Sequence, residues 1–137
     1  SPSDGGSKIL LLWYHIGLSQ TYRVPSVPAV DYGAAYTGAD IDRALESPDP
    51  GQIVPLDDLD GHGTFIAGIA AGSEDEAGDF TGAAPRSQIA VVKLKPAKRY
   101  LRDFYQIREG VPAYQENDIM LGVRYLHELA LRERRPR

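Results

Sequence analysis

Short apolar runs alternate with polar segments rich in glycine and proline along this chain. Residues 8–14 form a continuous apolar run that is too short for a typical helix, so the pattern predicts a buried strand. Residues 88–95 carry several β-branched side chains and predict the strongest strand in the sequence. Two apolar repeats with helical spacing follow the first strand, and a third follows the second strand.

The first helical repeat begins after Thr37. Thr37 or Asp40 supplies the side chain that caps a helix start, and Ile41, Ala44 and Leu45 recur at helical spacing. A cluster of serine, proline, aspartate and glycine then predicts the turn that ends this helix.

The last helix is predicted to begin at Asn117 or Asp118, either of which can cap it. Its expected buried face is one apolar stripe. The stripe consists of Ile119, Val123, Leu126 and Ala130.

The predicted order of elements is strand, helix, helix, strand, helix, which indicates an α/β fold with a parallel sheet. The length of 137 residues suits one domain, and no repeat or linker divides it. Residues 1–7 are expected to be flexible, and residues 24–30 to be extended because of their two prolines. Residues 96–116 are long, basic at first and aromatic, and we interpret them as a surface insertion.

The net charge of −4 argues against nucleic acid as the main partner. No apolar run is long enough to predict a membrane span. Without cysteine the chain has neither disulfides nor thiolate metal ligands.

The strongest candidate for chemistry is His62. It stands between two glycines at the start of an apolar helix built from small residues, after an acidic run that complements the positive end of the helix. A histidine oriented mainly by the backbone suits a general base whose partners come from elsewhere in the fold. The plainer alternative is a histidine that only caps or packs the helix.

The residues around His62 favour the catalytic interpretation. Residues 61–72 read Gly-His-Gly-Thr-Phe-Ile-Ala-Gly-Ile-Ala-Ala-Gly, and residues 82–85 read Gly-Ala-Ala-Pro before the next strand. The two motifs, in this order, resemble the histidine block and the following turn of subtilisin-like serine peptidases. Phe65 replaces a second, non-catalytic histidine of that family. The resemblance implies a subtilisin-like α/β fold, a polypeptide substrate and His62 as the catalytic histidine.

The resemblance also implies an aspartate and a serine, and neither is recognisable here. Asp4 and Asp31 lack the apolar strand that precedes the family's aspartate, and no serine has the family's context. The chain therefore resembles the middle section of a subtilase catalytic domain, carrying one of three triad members and inactive alone. The alternative is a pseudopeptidase of the same fold that acts through protein–protein interaction.

The stretch around Trp13 and residues 93–125 resemble a clostridial subgroup, some members of which act in spore germination. The resemblance therefore suggests a bacterial protein that is secreted or spore-associated, and germination signalling as the role of the pseudopeptidase alternative.

Further expectations follow from the resemblance. Tyr114 and Gln115 lie where the family's edge strand pairs with an extended substrate, although an ordinary loop explains them as well. The acidic residues 73–80 occupy the place of a family calcium loop but do not match it, so we expect no cofactor and keep calcium as the weaker alternative. His15 and His127 are interpreted as structural or surface residues. Sheet edges exposed in such a section predict a homo-oligomer.

Overall fold

The computed structural model describes residues 6–15 and 32–133. Of the flexible start expected for residues 1–7, residues 1–5 lie outside the described residues, as does the extended segment 24–30. The described part contains three strands, four α-helices and a short 3₁₀ turn. They are β1 Ile9–Tyr14, β2 Ala34–Thr37, α1 Gly38–Glu46, the 3₁₀ turn Pro50–Gln52, α2 His62–Ala71, β3 Ile89–Lys93, α3 Arg99–Phe104 and α4 Glu116–Arg132.

The described strands form one sheet in the order β2-β1-β3. Ile89 N donates to the Lys8 carbonyl near the start of β1, and His15 N donates to the Lys93 carbonyl just after its end, so β1 and β3 are parallel. β2 runs the other way, because Gly33 lies against the Tyr14 carbonyl while Gly38, at the opposite end, lies against that of Ile9.

The α/β prediction is therefore confirmed, although the sheet is mixed and not wholly parallel. The pattern missed β2, which has only four residues. Strands β2 and β3 are the edges of the described sheet. Association through these edges stays a prediction.

The contacts divide the chain into two compact units, and each strand passes from one unit to the other. The first unit contains residues 1–12 and 36–91, and the second contains residues 13–35 and 92–137. The first unit buries one face of α1 and the end of α2. The side chains it buries include Leu11, Tyr36, Ile41, Ala44 and Ala71.

Helix α1 begins as the sequence predicts. The Thr37 hydroxyl accepts from Asp40 N at 3.3 Å, and the Asp40 carboxylate accepts from Thr37 N at 2.8 Å. This reciprocal capping box satisfies two of the backbone donors that a helix start leaves free. Burial alone would raise the pKa of Asp40, but hydrogen bonds from Thr37 and Arg43 outweigh it and lower that pKa below its usual value.

The second unit packs around Trp13, which is almost fully buried. The Trp13 ring lies 4.3 Å from the His15 ring and 4.6 Å from the Tyr125 ring, measured between centroids. Leu129 and Ala97 complete the buried apolar set of this unit together with Ala34.

The predicted face of α4 is wrong by one position. The helix buries Asp118, Gly122, Tyr125 and Leu129, while Ile119 and Val123 of the predicted stripe are exposed. The helix start also differs, because Gln115 is the N-cap residue and makes no side-chain cap, whereas Asp118 lies inside the first turn.

Candidate functional site

Helix α2 places His62 at its first residue, with an exposed side chain. The preceding Gly61 has a φ of 73°, in the left-handed region that favours glycine. The chain can therefore turn sharply into the helix with no side chain beside the histidine. Within residues 6–15 and 32–133, no side chain forms a hydrogen bond or an ion pair with His62.

The N-terminal end of α2 is held by Asp58. Its carboxylate accepts from Thr64 N at 2.8 Å and from the Thr64 hydroxyl at 2.6 Å, and also from Gly61 N at 3.2 Å. This carboxylate satisfies a free helix donor and complements the positive end of the helix dipole. The acidic run that precedes His62 thus fixes the turn that presents it.

The C-terminal end of α2 is held by the Gly-Ala-Ala-Pro motif. Gly82 N donates to the Gly72 carbonyl at 3.1 Å, Ala83 N to Ile69 at 2.9 Å and Ala84 N to Ala70 at 2.8 Å. These bonds satisfy carbonyls that a helix end leaves without partners. The two motifs found in the sequence therefore belong to one structural unit.

Lys8 adds a positive charge at the same end of α2. Its ammonium donates to the Ala71 carbonyl at 2.9 Å and to the Pro85 carbonyl. A cation at this position complements the negative end of the helix dipole. Lys8 therefore links the residue just before β1 to the end of α2 and to the Gly-Ala-Ala-Pro turn.

Although α2 is braced at both ends, much of its apolar surface is exposed. Phe65 is 64% exposed, and Ile66 and Ile69 are each close to half exposed. Large exposed apolar surfaces of this kind mark interaction faces.

The predicted substrate-pairing residues lie in the second unit, just before α4. Tyr114 is half exposed, and Gln115 has extended backbone angles with φ −83° and ψ 135°. Residues 111–115 do not form a regular strand in the chain. The preceding Ala113 uses its carbonyl to accept from Ala97 N at 2.8 Å.

A buried polar cluster at the start of α4 was missed by the sequence interpretation. The Asp118 Oδ1 atom lies 3.0 Å from the Lys95 ammonium and accepts from the Tyr32 hydroxyl at 2.9 Å. The same ammonium lies 4.0 Å from the centre of the Tyr32 ring. Burial, followed by the hydrogen bond to Asp118, raises the pKa of Tyr32 to about 12. The aspartate is therefore a structural anchor for α4.

The other two histidines differ in burial. His15 is buried, and neither of its ring nitrogens has a hydrogen-bond partner among the residues that the structure describes. Burial lowers the pKa of His15 below its usual 6.5. The charge of Asp118 raises this pKa to a smaller extent, and the charge of Lys95 lowers it further. His127 is exposed on α4.

The described residues form neither a metal site nor a membrane-spanning helix. Among them, no group of three His, Cys, Asp or Glu side chains is arranged to hold a metal ion. In the acidic loop, the Asp75 carboxylate accepts from Asp79 N and Phe80 N. None of the helices in the described ranges has the length and apolar character needed to span a bilayer. Asp4 and Asp31 lie outside these ranges.

The glycine-flanked histidine at the start of α2 and the Gly-Ala-Ala-Pro turn at its other end are the two motifs that carry the family resemblance in the sequence. A model of the subtilase family matches residues 11–120, so the chain belongs to the subtilase family. Comparison with curated protein sequences gave no match.

Among solved structures, the chain is similar to the CspB protease of Clostridium perfringens. The TM-score is 0.65 and the sequence identity is 27%. The similarity covers 97% of this chain and 23% of that chain, so this chain spans less than a quarter of the length of its structural relative.

Proposed function

We propose that this chain supplies the catalytic histidine of a serine endopeptidase. The observation that carries the proposal is His62, exposed at the start of a helix that is braced at both ends, in a chain of the subtilase family. The similar protein from Clostridium perfringens is named as a protease, which supports hydrolysis of peptide bonds as the reaction.

In this mechanism His62 is the general base. It accepts the proton of a serine hydroxyl as that oxygen attacks the peptide carbonyl, and then returns the proton to the leaving amine. A carboxylate on the far side of the ring fixes the histidine tautomer and stabilises the imidazolium. We place the serine and the aspartate outside this chain, in other parts of a longer protein, because no stretch of this sequence resembles the family's motifs for them. The isolated chain is then inactive, because the nucleophile and the oxyanion hole are absent.

The substrate in this proposal is a polypeptide in extended conformation. The backbone of Tyr114 and Gln115 pairs with it by strand addition, for which the extended angles of Gln115 are suitable. The same main-chain recognition would serve a pseudopeptidase that binds a partner without cleaving it, so activity must decide between them.

The deciding experiment is labelling with a fluorophosphonate probe, which reacts with an activated serine. We expect the full-length protein to be labelled and the isolated chain not to be. His62→Ala should slow labelling of the full-length protein by more than about a thousandfold, because the base that activates the serine is lost. His127→Ala removes an exposed histidine from α4 and should leave the rate unchanged.

Two results would contradict the proposal. Labelling of His62→Ala at the rate of the unmodified protein would show that His62 is not the base. Absence of labelling in a folded, mature full-length protein would favour the pseudopeptidase.

A further inference from the structure

Residues 98–112, here called the aromatic loop, form a surface segment that is braced by its own contacts. The loop is closed at its base by the hydrogen bond from Ala97 N to the Ala113 carbonyl. Inside it, the Arg102 guanidinium donates to the Arg108 carbonyl at 2.8 Å and to the Val111 carbonyl at 2.9 Å. Compact loops with close ends and internal contacts are often functional.

The braced loop presents large aromatic side chains to solvent. Tyr100 is 62% exposed, Phe104 77% and Tyr105 68%. Tyr100 and Phe104 are four residues apart in α3 and therefore share a face, and the Phe104 and Tyr105 rings meet edge to face at 5.0 Å. Exposed aromatic rings on an ordered backbone are typical of binding surfaces, because little conformational freedom is lost when they are covered.

The charge of the loop is opposite to that of the chain. The loop contains four basic and two acidic residues, whereas the whole chain carries a net charge of −4. The basic residues are Lys98, Arg99, Arg102 and Arg108. Lys98, Arg99 and Arg108 are exposed. The ion pair between Arg99 and Asp103 is long, at 3.8 Å, and both of its side chains are largely exposed to water. A ligand that complements this surface is acidic and carries an apolar or aromatic side chain.

We propose that the aromatic loop docks an acidic stretch of the polypeptide substrate. The inference rests on the proposed function and adds a substrate class to it. The loop continues through Ala113 into Tyr114 and Gln115, the residues proposed to pair with the substrate backbone, and both segments belong to the second unit. The aromatic rings cover its apolar side chain, and the exposed cations select acidic neighbours.

The test uses the full-length protein and a series of fluorogenic peptides. The peptides share the cleaved residue pair and differ only in whether the distal residues are acidic, neutral or basic. We expect kcat/KM to be about five- to tenfold higher for the acidic peptide than for the neutral one at low salt, and the preference to shrink as salt is added.

Variants locate the preference on the loop. Lys98→Glu combined with Arg108→Glu should abolish or reverse the preference, while Arg124→Glu, which reverses an exposed charge on α4, should keep it. Phe104→Ala should raise KM about fivefold with kcat unchanged, because it removes ground-state binding. Met120→Ala, an exposed apolar truncation on α4, serves as its control.

A second measurement separates docking from catalysis. Fluorescence anisotropy of the labelled peptides reports binding whether or not the protein cleaves them. Cleavage without a charge preference overturns the docking proposal and leaves the proposed function intact. Selective binding of the acidic peptide without cleavage supports docking and contradicts the endopeptidase, and failure of both binding and cleavage overturns both proposals.

Discussion

Replacing Gly82 with alanine should loosen the brace at the C-terminal end of α2. A Cβ atom at this position would collide with Gly72 N and would lie 2.9 Å from both Ala71 N and the Gly68 carbonyl oxygen. All three contacts are with backbone, which cannot rotate away. The turn must therefore separate from the helix, and its three hydrogen bonds are lost or lengthened.

The magnitude follows from those bonds. Each hydrogen bond contributes about 1 kcal/mol net to stability. Alanine restricts the unfolded chain more than glycine does, which offsets about 0.7 kcal/mol of this loss. The variant should therefore lose about 2 kcal/mol of local stability. Hydrogen exchange followed by mass spectrometry on peptides covering α2 should show amides exchanging about thirtyfold faster, since the local opening free energy falls by that amount.

Gly68→Ala is a matched control in the same helix. In the described part of the chain, no atom outside the local helix backbone lies within 4 Å of the added Cβ at Gly68, and the backbone of Gly68 is helical. Alanine stabilises a helix interior by about 0.5–1 kcal/mol relative to glycine, so exchange in α2 should slow. If both variants change exchange in the same direction by similar amounts, the turn does not brace the helix.

Two further changes test the second unit. Asp118→Asn should destabilise the protein by about 2–3 kcal/mol in urea unfolding, because the largely buried ion pair with Lys95 is broken. Asp103→Asn, in the largely exposed pair with Arg99, should change stability by less than about 0.5 kcal/mol. Equal effects would contradict the buried anchor. His15 has a lowered pKa in the folded state, so the unfolded chain binds more protons and stability should fall as pH drops below 6.5. His15→Phe, which keeps a ring against Trp13, should flatten this dependence below pH 6.5, and an unchanged pH profile would assign the effect to other groups.

The region around His62 was predictable because its sequence and its structure obey the same local rules. Glycine permits the left-handed turn at Gly61, and acidic residues favour the helix start. Small residues follow, and the next motif satisfies the helix end. What the sequence could not reveal is that Asp58, rather than the residue adjoining the helix, makes the cap, since this depends on how the preceding turn folds back.

The face of α4 illustrates where the pattern of apolar positions is insufficient. Ile119 and Val123 are the obvious core residues by hydropathy, yet Asp118 and Gly122 are buried instead. Asp118 can be buried because Lys95 compensates its charge and the Tyr32 hydroxyl donates a hydrogen bond to its carboxylate. A Cβ at Gly122 would lie only 3.3 Å from a Val92 methyl, so the absence of a side chain lets β3 approach closely. The burial of Asp118 and of Gly122 depends on contacts with residues distant in sequence, and the periodicity of apolar positions carries no information about such contacts.

Helix α2 presents the opposite case, since it is apolar on all sides. A helix of this kind is normally enclosed on all sides. In this chain only Ala71 of α2 is buried, and Phe65 remains largely exposed. The braces at both ends hold the helix in place but cover little of its length. If the serine lies in another part of a longer protein, as proposed above, we expect that part also to cover the remaining apolar surface of α2. Under this hypothesis, formation of the catalytic site and burial of α2 occur in the same folding event.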